Sequence, residues 1–391
     1  MNSSQVKDPG LSAQITDAEI DWLRYVMPIT EHYCREISQR DYRGKRLACW
    51  MHIKLNNLPM MLALAESGAE IAIGACNVDS TDDVVVAYLS ERGIAGYGWQ
   101  GMTRTDYEQH MKLVRAFDAD YLCDMGGELS VAYMDRKPPV KGALEATTSG
   151  LNVLRDHDIP FPVFDWNSIP LKDNLENRFH VGNEIWPVFS EVTSLSLFRR
   201  SVLVVGYGPV GKGIAERARD LGAMVYVVDL DAVRLIEAQH HGCAPVSLEE
   251  GLTRCQIVVT ATGIEGILGE EHLRQALPGT IFLNAGHSNR EIDIDWLYRQ
   301  PHQRMRAHIE RFDLNGTHIF LLAKGSLLNL AGGTAAVGVD LFDLYTAVML
   351  RGISWLFDGG AEGAPPGVQP YPSDLEQEIA RLSVKLHGEV L

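Results

Sequence analysis

Three glycines with the spacing GxGxxG stand between an apolar run and a helical pattern. They are Gly206, Gly208 and Gly211, in the segment VLVVGYGPVG. In such a turn the first glycine permits the tight bend, the second lets the backbone approach a pyrophosphate, and the third allows close packing of helix on strand. The free N–H groups at the start of the helix favour a bound anion. The spacing therefore predicts a dinucleotide site.

An acidic residue follows this turn at the distance that dinucleotide-binding domains require. Asp229 ends the next apolar run, MVYVVDLD, about 20 residues on, where a carboxylate can accept hydrogen bonds from a ribose diol. A carboxylate at this place would repel the 2′-phosphate of NADP, so we predict NAD as the cofactor. Arg234 keeps NADP open as an alternative.

Composition limits the class of protein. The chain has 391 residues, of which 46% are hydrophobic and 22% charged, as expected of a globular protein of two or three domains. The formal net charge of −16 and the absence of a basic run argue against nucleic acid or a membrane as a partner. The six cysteines form no CxxC pair, so we expect reduced thiols and no metal site. With no signal-peptide pattern and no long apolar run, we expect a cytoplasmic protein.

Strands alternate with helices in both halves of the chain. RLACWMHI and EIAIGACN in the first half, and SVLVV, MVYVV, CQIVVT and GTIFLN in the second, are short apolar runs separated by helical patterns. This order predicts an α/β protein with two doubly wound parallel-sheet domains. We place the first domain at 1–182, completed by about 336–358, and the nucleotide-binding domain at 183–335. Residues 359–391 are expected to be a C-terminal loop and a short helix.

Longer motifs give the sequence a recognisable family pattern. GYGPVGKG, TATG at 260–263 and NAGHSNREID at 284–293 resemble motifs of the S-adenosylhomocysteine hydrolase (adenosylhomocysteinase) superfamily. GKRLACWMHI, GACNVDSTDD, EATTSG and KGSLLNL follow in family order, so the resemblance extends over about residues 40–360. It implies a substrate domain and a Rossmann NAD domain, a small nucleoside substrate, and assembly into a homo-oligomer, a dimer or a tetramer.

The resemblance also implies a mechanism. In that family NAD oxidises the 3′-hydroxyl of the substrate sugar to a ketone, which acidifies the neighbouring 4′ C–H. A base removes the 4′ proton and the 5′ substituent leaves. Water then adds, and the ketone is reduced again in a closed site that protects the intermediate.

Five matched positions carry the chemistry that the resemblance implies. His52 would perform acid–base work at the 5′ leaving group, and Lys172 would polarise or deprotonate the hydroxyl being oxidised. Glu176 stands where the family has aspartate, and Asn177 and His287 match further site positions. Without the resemblance, His52 would be interpreted as structural, and Lys172 with Glu176 as a surface ion pair at i, i+4 spacing.

Other matched positions are predicted to contact NAD. The turn itself contributes Pro209 and Val210 beside its glycines, and a threonine run in the family matches Thr147, Thr148 and Ser149. The remaining predicted cofactor residues are Thr262, Gly263, Asn284, Gly286 and Asn329.

Four positions of the predicted substrate site depart from the family. Met125 replaces a catalytic aspartate, and Ala146 replaces the glutamate that holds the sugar hydroxyls. Lys54 and Asn56 replace the threonine and glutamate that follow the family's histidine. Since Met125 and Ala146 remove two carboxylates from the site, we expect hydrolysis of S-adenosylhomocysteine to be very slow or absent.

These departures leave three hypotheses. The sequence favours a nucleoside dehydratase, which would use the oxidation and elimination steps to form an exocyclic 4′,5′ alkene. The first alternative is a divergent hydrolase that cleaves a nucleosyl thioether. The second is an inactive NAD-binding regulator, against which the joint retention of the catalytic residues argues.

Overall fold

The computed structural model describes residues 4–286, 290–331 and 338–388. The chain forms two compact units, one of Met1–Lys172 with Gly338–Leu391 and one of Asp173–Val337. The expected two α/β domains are therefore confirmed. The division falls at Lys172 and not at residue 182, because a π-helical segment, Leu171–His180, runs directly into the next helix without a turn that the sequence could reveal.

The strands of the described residues are numbered in chain order. They are β1 (Arg46–Met51), β2 (Glu70–Ala75), β3 (Ala95–Tyr97), β4 (Tyr121–Asp124), β5 (Gly142–Glu145), β6 (Pro162–Asp165), β7 (Ser201–Val205), β8 (Met224–Val228), β9 (Ala244–Pro245), β10 (Ile257–Thr260), β11 (Thr280–Asn284), β12 (His302–Arg306), β13 (Ile309–Asp313), β14 (His318–Leu322) and β15 (Gly367–Pro370).

The α-helices are numbered in the same way. They are α1 (Asp17–Val26), α2 (Pro28–Ile37), α3 (Leu58–Glu66), α4 (Asp83–Glu91), α5 (Arg104–Ala116), α6 (Glu128–Ala132), α7 (Thr148–Arg155), α8 (Val181–Thr193), α9 (Pro209–Asp220), α10 (Ala232–His240), α11 (Leu248–Leu252), α12 (Glu270–Gln275), α13 (Ile294–Leu297), α14 (Leu328–Ala331), α15 (Asp343–Phe357) and α16 (Ser373–Gly388). Short 3₁₀ helices cover Pro9–Gln14, Leu55–Asn57, Ala323–Gly325 and Val339–Phe342.

The first unit is built on a seven-stranded parallel sheet. Its strand order is β15-β6-β5-β4-β1-β2-β3. The interior strands are mostly apolar, as in β1, where Leu47 to Met51 are all buried, because helices cover both faces. The chain leaves β1 toward β2 on one side and returns to β4 on the other. The carboxyl ends of β1 and β4 therefore mark the switch point at which such sheets bind ligands.

The second unit contains an eight-stranded sheet in the order β12-β13-β14-β11-β10-β7-β8-β9. The six strands from β14 to β9 are parallel, and its switch point lies between β7 and β10. Strands β12 and β13 extend the sheet in antiparallel fashion. The sequence patterns do not predict these two strands, because their residues are largely polar and β12 is exposed along its whole length.

The C-terminal stretch belongs to the first unit. Residues 367–370, expected to be loop, form β15, which pairs in parallel with β6 at the edge of the sheet. The prolines in this stretch conceal the strand from sequence patterns, and an edge strand is where a sheet tolerates proline. Across the described residues, no helix combines the length and the apolar character that a bilayer crossing requires.

Candidate active site

His52 directly follows β1, at the switch point of the first sheet. Its Nδ1 lies 2.6 Å from Oγ of Ser80, which fixes the orientation of the imidazole ring. The ring is partly exposed, so it can meet a ligand. A histidine that is oriented by a hydroxyl and reachable by a ligand is suited to proton transfer.

Lys54 and Asn56 follow His52 at the start of a short 3₁₀ helix. Burial lowers the pKa of Lys54, and the charge of Asp82 opposes that change. Asn56 is buried, and its Nδ2 donates to Oγ1 of Thr346 on α15 at 3.4 Å. These two predicted substrate residues therefore supply a desolvated amine and a fixed amide in the segment that follows His52.

Met125 and Ala146 stand immediately after β4 and β5. Both are 2% exposed. The backbone N–H of Met125 donates to the carbonyl of Trp50 on β1, and that of Ala146 donates to the carbonyl of Asp124. The structure therefore places two buried apolar residues at the carboxyl ends of β4 and β5, the edge of the sheet at which β1 also ends.

Two buried carboxyl groups precede these residues, and sequence reasoning missed both. Glu145 accepts hydrogen bonds from the backbone of Gly126, Gly127 and Thr147, at 2.7–3.1 Å. Asp124, its partner across β4 and β5, accepts one from the backbone of Ser130 at 2.7 Å. Oδ1 of Asp124 has no hydrogen-bond partner among the described residues. Burial raises the pKa of Asp124 to about 7, and burial together with the charge of Asp124 raises the pKa of Glu145.

The threonine run after β5 begins α7. Thr147 caps this helix, since its Oγ1 accepts from the N–H of Gly150 at 2.9 Å and also donates to Glu145 at 2.7 Å. Thr148 accepts from Nδ2 of Asn167 at 3.0 Å, and Ser149 donates to Thr147 at 3.2 Å. Glu145 thus holds both turns that carry the predicted substrate and cofactor residues of the first unit.

Lys172 is the last residue of the N-terminal segment of the first unit and is 8% exposed. Its Nζ lies 4.9 Å from the centroid of the Tyr345 ring on α15. The sequence alternative of an exposed surface lysine is wrong, because this side chain is buried. Glu176, in the second unit, is also 8% exposed, and Asn177 donates to Asp173 at 3.4 Å.

The glycine-rich turn has the geometry that its spacing predicts. Gly206, after β7, has φ of +97°, and Gly208 is the N-cap of α9, followed by Pro209 and Val210. A Cβ on Gly211 would lie 1.9 Å from the carbonyl oxygen of Gly206, whereas one on Gly208 would meet only an arginine nitrogen at 3.8 Å. The turn is therefore closed on the protein side and open where a pyrophosphate would approach.

Asp229, at the end of β8, is tied to this turn. Its Oδ2 accepts from the N–H of Tyr207 at 2.6 Å, and its Oδ1 accepts from the N–H of Asp231 at 2.8 Å. Arg234 lies 3.6 Å from the same carboxylate. Two backbone N–H groups thus fix the carboxylate beside the turn, where a ribose-binding acid is expected.

Glu291 organises the loops after β10 and β11 and is a third residue that sequence reasoning missed. This buried carboxylate accepts from N and Oγ1 of Thr262 at 2.9 and 2.7 Å and from N of Gly263 at 2.8 Å. Burial raises the pKa of Glu291. A Cβ on Gly286 would lie 1.5 Å from Oε1 of Glu291, so only glycine fits there.

Two asparagines flank these loops. Asn284 is buried, and its amide bonds Thr260, Gly286 and Gly325, which makes it a brace between loops. Asn329 donates to Glu184 at 3.0 Å, while its Oδ1 is buried without a hydrogen-bond partner among the described residues. An orphaned amide oxygen and the open glycine turn fit a ligand that has both an amide donor and a pyrophosphate, which NAD has.

Two further findings concern a predicted catalytic residue and metal binding. The predicted catalytic residue His287 lies outside the described residues. Within the described ranges, no three His, Cys, Asp or Glu side chains gather as a metal site would require.

Comparison with known proteins decides the family. Residues 6–155 match the family described as S-adenosyl-L-homocysteine hydrolase, and residues 184–335 match its NAD-binding domain. An S-inosyl-L-homocysteine hydrolase from Methanopyrus kandleri is 31% identical over 98% of this chain and 93% of its own. An adenosylhomocysteinase from Pyrococcus abyssi is 31% identical over 95% of this chain and 90% of its own.

The chain belongs to the S-adenosyl-L-homocysteine hydrolase family. The family indicated by the sequence motifs and the predicted NAD cofactor are thereby confirmed. The protein is an NAD-dependent enzyme of the adenosylhomocysteinase type. The Rossmann domain of the prediction corresponds to the match at 184–335, which lies within the second unit.

Proposed function

We propose that this protein dehydrates a nucleoside. It would oxidise a sugar hydroxyl with NAD, remove the 4′ proton, eliminate the 5′ hydroxyl as water, reduce the ketone again with the NADH formed, and release a product with an exocyclic 4′,5′ double bond. The proposal assigns the family's oxidation and elimination steps to this chain and leaves out the addition of water.

The observation that carries the proposal is the pair of apolar residues at the ends of β4 and β5. Met125 and Ala146 are buried where the family has carboxylates, so neither can activate water. The neighbouring carboxyl groups do not replace them, because Glu145 and Asp124 are fully buried and hydrogen-bonded to the turns. An elimination that ends at the alkene needs no base for an incoming water.

The remaining residues supply the steps that dehydration requires. NAD, when bound, takes the hydride from the sugar carbon and later returns it. Lys172 would take the proton of the hydroxyl being oxidised, and Glu176 would take the 4′ proton. His52, oriented by Ser80, would donate a proton to the departing 5′ hydroxyl, which leaves as water.

Thioether cleavage is the second candidate. It is supported by the relatives, which are named S-inosyl-L-homocysteine hydrolase and adenosylhomocysteinase. His52 would serve in the same way for a thiolate leaving group, so the two reactions differ in whether water is afterwards added to C5′.

A mass-spectrometric screen separates these functions. The purified protein would be incubated with nucleosides and with S-nucleosyl thioethers, and each product would be weighed. A product lighter than its nucleoside by one water supports dehydration. Release of a thiol together with a nucleoside that carries a 5′ hydroxyl supports thioether cleavage. The inactive regulator is excluded if any substrate produces the NADH absorbance at about 340 nm, because that requires hydride transfer.

A further inference from the structure

Tyr345, on α15, is an aromatic residue of the first unit that the sequence did not single out. Its ring centroid lies 4.9 Å from that of Trp166, which is completely buried just after β6. Phe342 meets the same ring edge-on at 6.0 Å. Packing against Trp166 and Phe342 fixes the plane of the Tyr345 ring.

The face of this ring lies under the side chain of Lys172. Nζ of Lys172 is 4.9 Å from the ring centroid, within the range of a cation–π contact. A lysine side chain has four rotatable bonds, and holding it in one geometry requires contacts along its path. The ring supplies such a contact at the charged end.

The hydroxyl group of Tyr345 points elsewhere. Its O–H donates to Sδ of Met125 at 3.5 Å, at the position where the family has its catalytic aspartate. The ring and the hydroxyl therefore contact different groups, and a phenylalanine at 345 would keep the first contact and lose the second.

We propose that Tyr345 is a positioning residue for Lys172. Its ring holds the ammonium group of Lys172 where that group meets the sugar hydroxyl, and its hydroxyl does not take part. The inference rests on the proposed function of Lys172, and it concerns the placement of that side chain and not the identity of the substrate.

The test compares three variants of the full chain. Tyr345→Leu removes the ring, Tyr345→Phe keeps it, and Phe342→Leu removes a neighbouring ring that packs on Tyr345. Substrate-dependent NADH formation should fall by about ten- to a hundredfold in kcat for Tyr345→Leu, with little change in KM, as expected when a reacting group is misplaced. Tyr345→Phe should stay close to the unmodified enzyme, whereas Phe342→Leu, which removes one of the two rings that fix the plane of Tyr345, should show a smaller loss than Tyr345→Leu. Equal losses for Tyr345→Phe and Tyr345→Leu would overturn the proposal.

A double-mutant cycle shows whether Tyr345 acts through Lys172. The fold-loss caused by Tyr345→Leu should be much smaller in a Lys172→Arg background than in the unmodified protein, and an equal fold-loss in both backgrounds would contradict the proposal. Should Tyr345→Leu not fold, Tyr345→Met replaces it, since methionine fills an irregular space flexibly.

A labelling experiment separates this inference from the proposed function. Acetic anhydride modifies accessible lysines, and mass spectrometry reports the rate at Lys172. That rate should rise severalfold in Tyr345→Leu and not in Tyr345→Phe. If no nucleoside produces NADH, the proposed function fails, whereas unchanged labelling of Lys172 in Tyr345→Leu refutes the positioning role.

Discussion

Replacing Asp124 by asparagine should change how the stability of the protein depends on pH. Burial raises the pKa of Asp124 from 3.8 to about 7, and Glu128 adds negative charge. A carboxyl group with a raised pKa binds its proton more tightly in the folded state. Its contribution to the stability of the folded state is therefore fully present at pH values below the pKa that the group has in the unfolded chain. This contribution is lost as the pH rises through the pKa that the group has in the folded protein.

The magnitude follows from the size of that rise. About three pKa units at about 1.4 kcal/mol each correspond to about 4 kcal/mol over the whole titration. About 3 kcal/mol of this is lost between about pH 5 and pH 8, because the group in the folded protein is still largely protonated at the lower pH. Asparagine is neutral throughout and keeps an oxygen for the N–H of Ser130, so it mimics the protonated form.

The assay is denaturant unfolding of Asp124→Asn and of the unmodified protein, followed by tryptophan fluorescence across this pH range. Relative to the unmodified protein, the variant should gain about 3 kcal/mol in free energy of unfolding between the two ends of the range. Asp158→Asn, which removes an exposed carboxylate, is the matched control and should stay within about 0.5 kcal/mol at every pH. A difference between Asp124→Asn and the unmodified protein that does not vary with pH would refute the reasoning.

Four other predictions follow from the same structure. Asp229→Ala removes a charged acceptor beside the glycine turn, so calorimetry should show NAD binding weakened by about 1.5–3 kcal/mol, and unchanged affinity would show that the ribose is held elsewhere. Gly211→Ala would place a Cβ 1.9 Å from the carbonyl oxygen of Gly206 and should abolish NAD binding and lower Tm, whereas Gly269→Ala, with no atom within 4 Å of the new Cβ, should do neither. A thiol-release assay with S-adenosylhomocysteine should show turnover far below the usual range of about 1–1000 per second, and turnover inside that range would be contrary to the loss of two carboxylates. Light scattering should give a homodimer or homotetramer, and a monomer would contradict this.

The parts of the fold that local patterns determine could be predicted from the sequence. The glycine turn, Asp229 and the alternation of strands and helices depend on residues close together in the chain, and the structure contains all of them. The antiparallel strands β12 and β13 and the proline-containing β15 could not be recognised, because their residues carry neither an apolar run nor a regular alternation.

Site residues that belong to a sequence motif could be predicted. Site residues that come together only in the folded chain, from distant positions in the sequence, could not. Glu145 and Asp124 adjoin predicted residues, yet only the pairing of β4 with β5 shows that they form a buried pair. Glu291 reaches back to Thr262 in the preceding loop, and Tyr345 comes to Lys172 from a helix far along the chain. No spacing in the sequence indicates such contacts.

The central claim is that Lys172 begins a redox-initiated elimination. The measurement that tests it most directly is exchange of the 4′ proton of a substrate nucleoside with deuterated solvent, with NADH formation recorded in parallel. The unmodified protein should show both signals. Lys172→Met should fold and bind NAD but lose both, because nothing then takes the proton of the hydroxyl as hydride leaves. Exchange at the unmodified rate in Lys172→Met would contradict the account.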